Sequence, residues 1–152
     1  MTLHAFIADF QKVHTDLLNL ISSFGRAVES ANLSQAKEFL NEIDNVTNGH
    51  FNFEETYLYP RLRRLVIEMT ERLHNEQEAM REFMVQATAI LKRTKLSKNE
   101  VATILGMTPR LSNLFNDCNK LVSLAENFRD EDKEDLSRRF KECSKAKSAV
   151  CI

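Results

Sequence analysis

Glycine and proline are scarce in this chain, at three and two residues in 152. Folds built from many short strands and tight turns need more of both, so a few long helices are expected. No apolar run approaches the roughly 18 residues that a membrane-spanning helix requires, and no membrane partner is expected. The start, Met1-Thr2-Leu3-His4, carries neither a positive region nor the apolar core of a signal peptide. Charge of one sign is also lacking: 21 basic residues face 22 acidic ones, for a net charge of −1. No basic patch alternates with aromatics, which argues against a nucleic-acid partner. Cysteine is limited to Cys118, Cys143 and Cys151, an odd and widely spaced set without a CxxC pair. Reduced thiols in a cytoplasmic protein are therefore expected, and the sequons at Asn32 and Asn45 carry no meaning there. A Gly-rich phosphate loop and a nucleophile–base set are missing as well.

What remains is an ordinary globular composition, 43% hydrophobic and 28% charged, in a length that suits one domain over residues 1–152 with a proper core. Apolar residues recur at helical spacing from Leu3 to Gly25, which predicts a first helix capped by Thr2 and ending near Ser30. Asn32-Leu33-Ser34 reads as a turn with Ser34 as the next cap, opening a second helix that ends near Pro60. A third helix is expected to bury Leu65, Val66, Met69, Leu73, Met80, Phe83, Met84, Ala87 and Leu91. Ser97 and Glu100 form a capping box for a fourth, whose stripe runs across Pro109 to Ala125. That stripe reads as one helix kinked near Gly106 and Pro109, with two helices meeting there as the alternative. The charged tail keeps Leu136, Phe140 and Cys143 on one side, as a short helix over about 130–146. The expected fold is all-α: an antiparallel up-down four-helix bundle over about 3–128 with a short C-terminal helix.

Against this pattern two polar residues stand out. His50 and Glu54 are four apart, one turn of helix, and share a face with Ile43, Val46, Phe53, Tyr57 and Leu58. A buried charge is costly unless it is paired, hydrogen-bonded or bound to a metal. His14 sits likewise among Phe10, Leu17, Leu18 and Ile21. A core histidine satisfied by hydrogen bonds is the plainer reading of His14 alone, and a His–Glu hydrogen bond that of the pair. On the third helix Gln77 lies near the centre of the buried face, while His74 lies about 100° away on the flank. On the fourth, which has no histidine, Glu126 keeps the register of Val122, whereas Asp117 falls on the opposite side and Glu131 sits in a charge run.

The chain resembles the hemerythrin-like (HHE cation-binding) family. The likeness rests on His14, on the run His50-Phe51-Asn52-Phe53-Glu54-Glu55-Thr56-Tyr57-Leu58-Tyr59-Pro60, and on Glu76-Gln77-Glu78-Ala79-Met80-Arg81. The second is a specific match to the signature H-x-x-x-E-E-x-x-L-[YF]-P. The resemblance implies a four-helix bundle around a non-haem di-iron site held by histidines and bridged by carboxylates. It departs in the third helix, where Gln77 fills the position of a histidine and His74 offers a shifted one. It departs again in the fourth, where Val122-x-x-x-Glu126 keeps an acid and loses the imidazole. The ligand set expected from the resemblance is thus His14, His50, Glu54, His74, Gln77 and Glu126. One iron keeps its histidines and the other loses them, so a reduced site with one well-held ion is expected, with iron favoured and Zn or Mn possible.

The family's roles include reversible O2 binding, oxygen or redox sensing, iron storage and the handling of nitric oxide or peroxide; binding or sensing of O2, NO or another small diatomic ligand is the function expected here, with the protein partner unknown. The alternatives are a metal-free interaction module and an iron enzyme that handles peroxide or nitric oxide or repairs iron–sulfur centres. The repair branch carries an extra cysteine-bearing N-terminal segment, so repair ranks below the others.

Overall fold

The computed structural model describes residues 3–145, with side chains from Ile7 to Ser144. The expected Thr2 cap, the His4 side chain and the segment after Lys145 lie outside these. The described residues form helices without strands. Helix α1 spans Leu3–Glu29 and α2 Leu33–Phe53; a π-helical turn, Glu54–Leu58, joins α2 to α3, Tyr59–Leu62. Helix α4 spans Ile67–Ile90, α5 Lys98–Val122, and α6 Asp130–Lys145 after a 3-10 turn at Ser123–Asn127. Helix α1 packs along α2 and α5, α4 packs along α5 and α2, and these four close the bundle. No described helix is long and apolar enough to cross a membrane.

Local chemistry explains the boundaries. The Asn32 N–H bonds Ala27 O at 2.9 Å and the Ala31 N–H bonds Val28 O at 3.1 Å, the paired bonds that close a helix around a left-handed residue. Ala31 is that residue, at φ 58°. Asn32, not Ser34, then caps α2 by accepting from the Gln35 N–H. The capping box of Ser97 and Glu100 is present at the start of α5. Pro109 lies inside α5 and has no N–H for the Leu105 carbonyl; the Thr108 hydroxyl donates to that oxygen at 2.9 Å instead. One continuous helix results, in place of two.

Two expectations need correction. Leu65 is exposed in the turn before α4 and joins no buried face, because the helix begins only at Ile67. Cys118 is a free, buried thiol, but Cys143 is disulfide-bonded, so the thiols are not all reduced.

Helix α6 lies across α1 and α2. Its buried Phe140 meets Phe10 and Phe53 at ring-centroid distances of 5.9 and 5.3 Å. Arg61 ties it to the end of α3 through Asp135 at 2.6 Å and Asp132 at 3.3 Å. The left-handed Ala31 gives a direct test of the first turn: Ala31→Gly is expected to raise stability by about 1 kcal/mol, measured by urea unfolding, whereas Ala31→Val is expected to lower it.

Candidate metal centre

His50 and Glu54 stand one turn apart on α2, and both are buried. His50 Nε2 lies 2.5 Å from Glu54 Oε1. His14 enters from α1, with Nε2 2.6 Å from His50 Nε2 and 3.6 Å from Glu54 Oε1. Two imidazole nitrogens and one carboxylate oxygen thus converge at one point. Oε1 is buried and receives no hydrogen bond of proper geometry, despite its closeness to His50.

The second oxygen of Glu54 is treated differently. At the π turn the backbone bonding widens, and the Tyr59 N–H reaches Glu54 O, five residues back. Tyr59 is thereby carried over Glu54, and its hydroxyl donates to Oε2. Gln77 Nε2, from α4, donates to the same oxygen at 2.5 Å and lies 2.8 Å from the Tyr59 hydroxyl. The Cys118 thiol of α5 adds a longer contact at 3.5 Å. Burial, with the charge of Glu54 beside it, pushes both the Tyr59 hydroxyl and the Cys118 thiol well above their usual pKa, so both keep the protons they donate.

Burial lowers the pKa of His50 more than the attraction of Glu54 raises it, which favours a neutral imidazole. Burial pushes the Glu54 carboxyl up, yet the two histidines beside it, His50 foremost, hold it well below the usual carboxylate range. These two effects compete, since a neutral His50 attracts a carboxylate less than a cation does. The hydrogen bonds to Oε2 hold the anion whichever charge His50 carries, and we take the pair as neutral imidazole and carboxylate.

An aromatic cage surrounds the cluster. Phe10 lies 4.7 Å from the His14 ring and 4.6 Å from that of His50, and Phe115 lies 5.2 Å from His14. Phe53, 6.1 Å from Phe10, is fully buried as well.

The remaining expected residues fall elsewhere. His74 is half-exposed on α4, 3.5 Å from Glu55, whose carboxylate already pairs with Arg81 at 2.8 Å. Glu126 is exposed. Its assignment assumed that the α-helical register of Val122 continues, but the chain tightens into the 3-10 turn at Ser123. With three residues per turn, four positions swing a side chain about 120° off the stripe. Two residues went unread in the sequence. Tyr59 was hidden because its place over Glu54 depends on the π turn. Asn119, half-buried on α5, accepts from His14 Nδ1 at 2.5 Å; the available signal was its position one turn after Phe115 and three residues before Val122.

Fold and centre together define a helical bundle with a buried histidine–carboxylate cluster of the kind that holds a cation. The hemerythrin HHE cation binding domain model matches residues 5–136, and the chain belongs to that family. No match is found among curated proteins or among solved structures.

Both pKa shifts predict acid sensitivity. The unfolded chain protonates His50 near 6.5 and Glu54 near 4.5, before the folded chain does. The contribution of both groups to the stability of the metal-free protein is thus full above pH 6.5 and declines as pH falls through 6.5 and then 4.5. Urea-unfolding midpoints across this range should show the decline, and His50→Gln should remove its upper limb.

Proposed function

We propose that this protein binds one transition-metal ion, iron by preference, through His14, His50 and Glu54, and that it holds O2 or NO there as a sensor or carrier. The observation that carries the reading is the division of labour at Glu54. Oε1 faces the two Nε2 atoms without a donor of its own, while Oε2 is taken up by Tyr59, Gln77 and Cys118. A carboxylate that bridges two ions presents both oxygens to metal. Here the second is committed to three protons, which supports a single ion and a terminal, one-oxygen ligand.

Two neutral imidazoles and a carboxylate suit Fe(II), Mn(II) or Zn(II), and leave coordination positions for a small ligand. A bound Fe(II) would supply the affinity for a diatomic molecule. The chain's own residues keep the site dry through Phe10, Phe53, Phe115 and Phe140, hold the carboxylate ionised, and limit its reach to one oxygen. The thiol beside the carboxylate, Cys118, is kept protonated by burial and by the charge of Glu54, which favours binding over turnover.

Anaerobic purification followed by elemental analysis tests the stoichiometry: one metal per chain is expected, with visible absorption that changes when NO is added to the Fe(II) form. Two tightly held irons would overturn the single-ion reading. A chain that takes up no Fe(II), Mn(II) or Zn(II) would leave only a metal-free module. With metal at 100 times its Kd, chelation should remove about 2.7 kcal/mol of stability, or roughly 5–10 °C in Tm for a domain of this size.

A further inference from the structure

His14 and His50 face the same point, but only one of them is held by a second bond. His14 Nδ1 lies 2.5 Å from Asn119 Oδ1. An amide oxygen only accepts, so Nδ1 carries the proton and Nε2 presents its lone pair. His50 Nδ1 is buried and has no hydrogen-bond partner among the described residues. The remaining contact, 2.6 Å between the two Nε2 atoms, then has one consistent assignment: His50 Nε2 donates to His14 Nε2.

We infer that Asn119 is a positioning residue, which fixes His14 in the tautomer a cation needs and leaves His50 as the ligand that must change tautomer to admit one. The inference rests on the cation site proposed above. Without Asn119, His14 is free to place its proton on Nε2, where His50 Nε2 and Glu54 Oε1 are acceptors within 2.6 and 3.6 Å. That self-paired arrangement competes directly with metal. With Asn119 in place His14 keeps its proton out of the centre, and the imidazole proton there sits on His50 Nε2. On metal binding this proton leaves His50 Nε2 and a neutral ring takes one up on Nδ1, so no net charge is created on the ring.

The test uses the whole 15N-labelled chain, first metal-free and then with Zn(II), which is diamagnetic. Long-range 1H–15N correlations of the imidazoles should show His14 protonated at Nδ1 and His50 at Nε2 in the metal-free protein. Saturating Zn(II) should move His50 to the Nδ1–H form and leave His14 unchanged. Asn119→Leu should release His14 from its tautomer and weaken Zn(II) binding, by competition with a chromophoric chelator, roughly 10–100-fold. Asn119→Asp, which keeps an acceptor, should retain the tautomer and bind at least as tightly. A metal-free wild type with His14 protonated at Nε2 overturns the inference, as does an Asn119→Leu chain with wild-type affinity. Should Zn(II) fail to bind at all, the cation reading falls, yet the His14 signals of the wild type and the Asn119→Asp chain still decide what Asn119 does.

Discussion

The structure turns on a single buried anion, the carboxylate of Glu54. Water is excluded from it, and an unpaired charge in such a place costs several kcal/mol. The bundle answers with hydrogen bonds from Tyr59 of α3, Gln77 of α4 and Cys118 of α5, while His14 of α1 and His50 of α2 close in on the other oxygen. None of these groups is long enough to reach Glu54 if its helix slides by a turn. The carboxylate therefore sets the register of the whole bundle, a task the apolar stripes perform loosely because any leucine can fill a leucine-sized gap.

The π turn follows from the same requirement. A regular α-helix through Tyr59 would place its hydroxyl around the helix from Glu54, since five residues overshoot one turn of 3.6. Widening the turn at Glu54–Leu58 brings residue 59 over residue 54 and lets the helix pass Pro60, which sits at the start of α3 where its missing N–H is tolerated. The cost of one irregular turn is offset by a short hydrogen bond to a buried charge, the strong kind. Helix α6, through Phe140 and the Arg61–Asp135 pair, then closes the side of the bundle where this irregular stretch lies.

Much of this was legible in the sequence, for a definite reason. His14, His50, Glu54 and Gln77 are polar residues on stripes that are otherwise apolar, and periodicity exposes that conflict without any knowledge of the helix packing. Periodicity also located the four long helices and the Ser97–Glu100 cap. It failed wherever the backbone leaves the 3.6-residue repeat. Tyr59 needs the π turn, Glu126 falls in the 3-10 turn, and Leu65 falls in the loop before α4. Asn119 failed differently: a half-buried asparagine on a helix flank has no conflict to reveal until the ring of His14 is placed beside it.

Gln77 shows how one side chain can change what a conserved-looking centre does. At the position where the family offers an imidazole, an amide has two N–H donors and an oxygen that binds soft or borderline metals weakly. Facing a carboxylate, it donates, and Gln77 does so to Oε2 while its own Oε1 is buried with no partner among the described residues. An imidazole there would have a lone pair to give a second ion and one N–H at most. The amide thus adds protons to the side of Glu54 that a bridging carboxylate turns to metal, and Tyr59 and Cys118 reinforce that choice. The two oxygens of one carboxylate acquire opposite roles, one hydrogen-bonded for structure and one free for a cation. On that division the proposed single-ion chemistry stands.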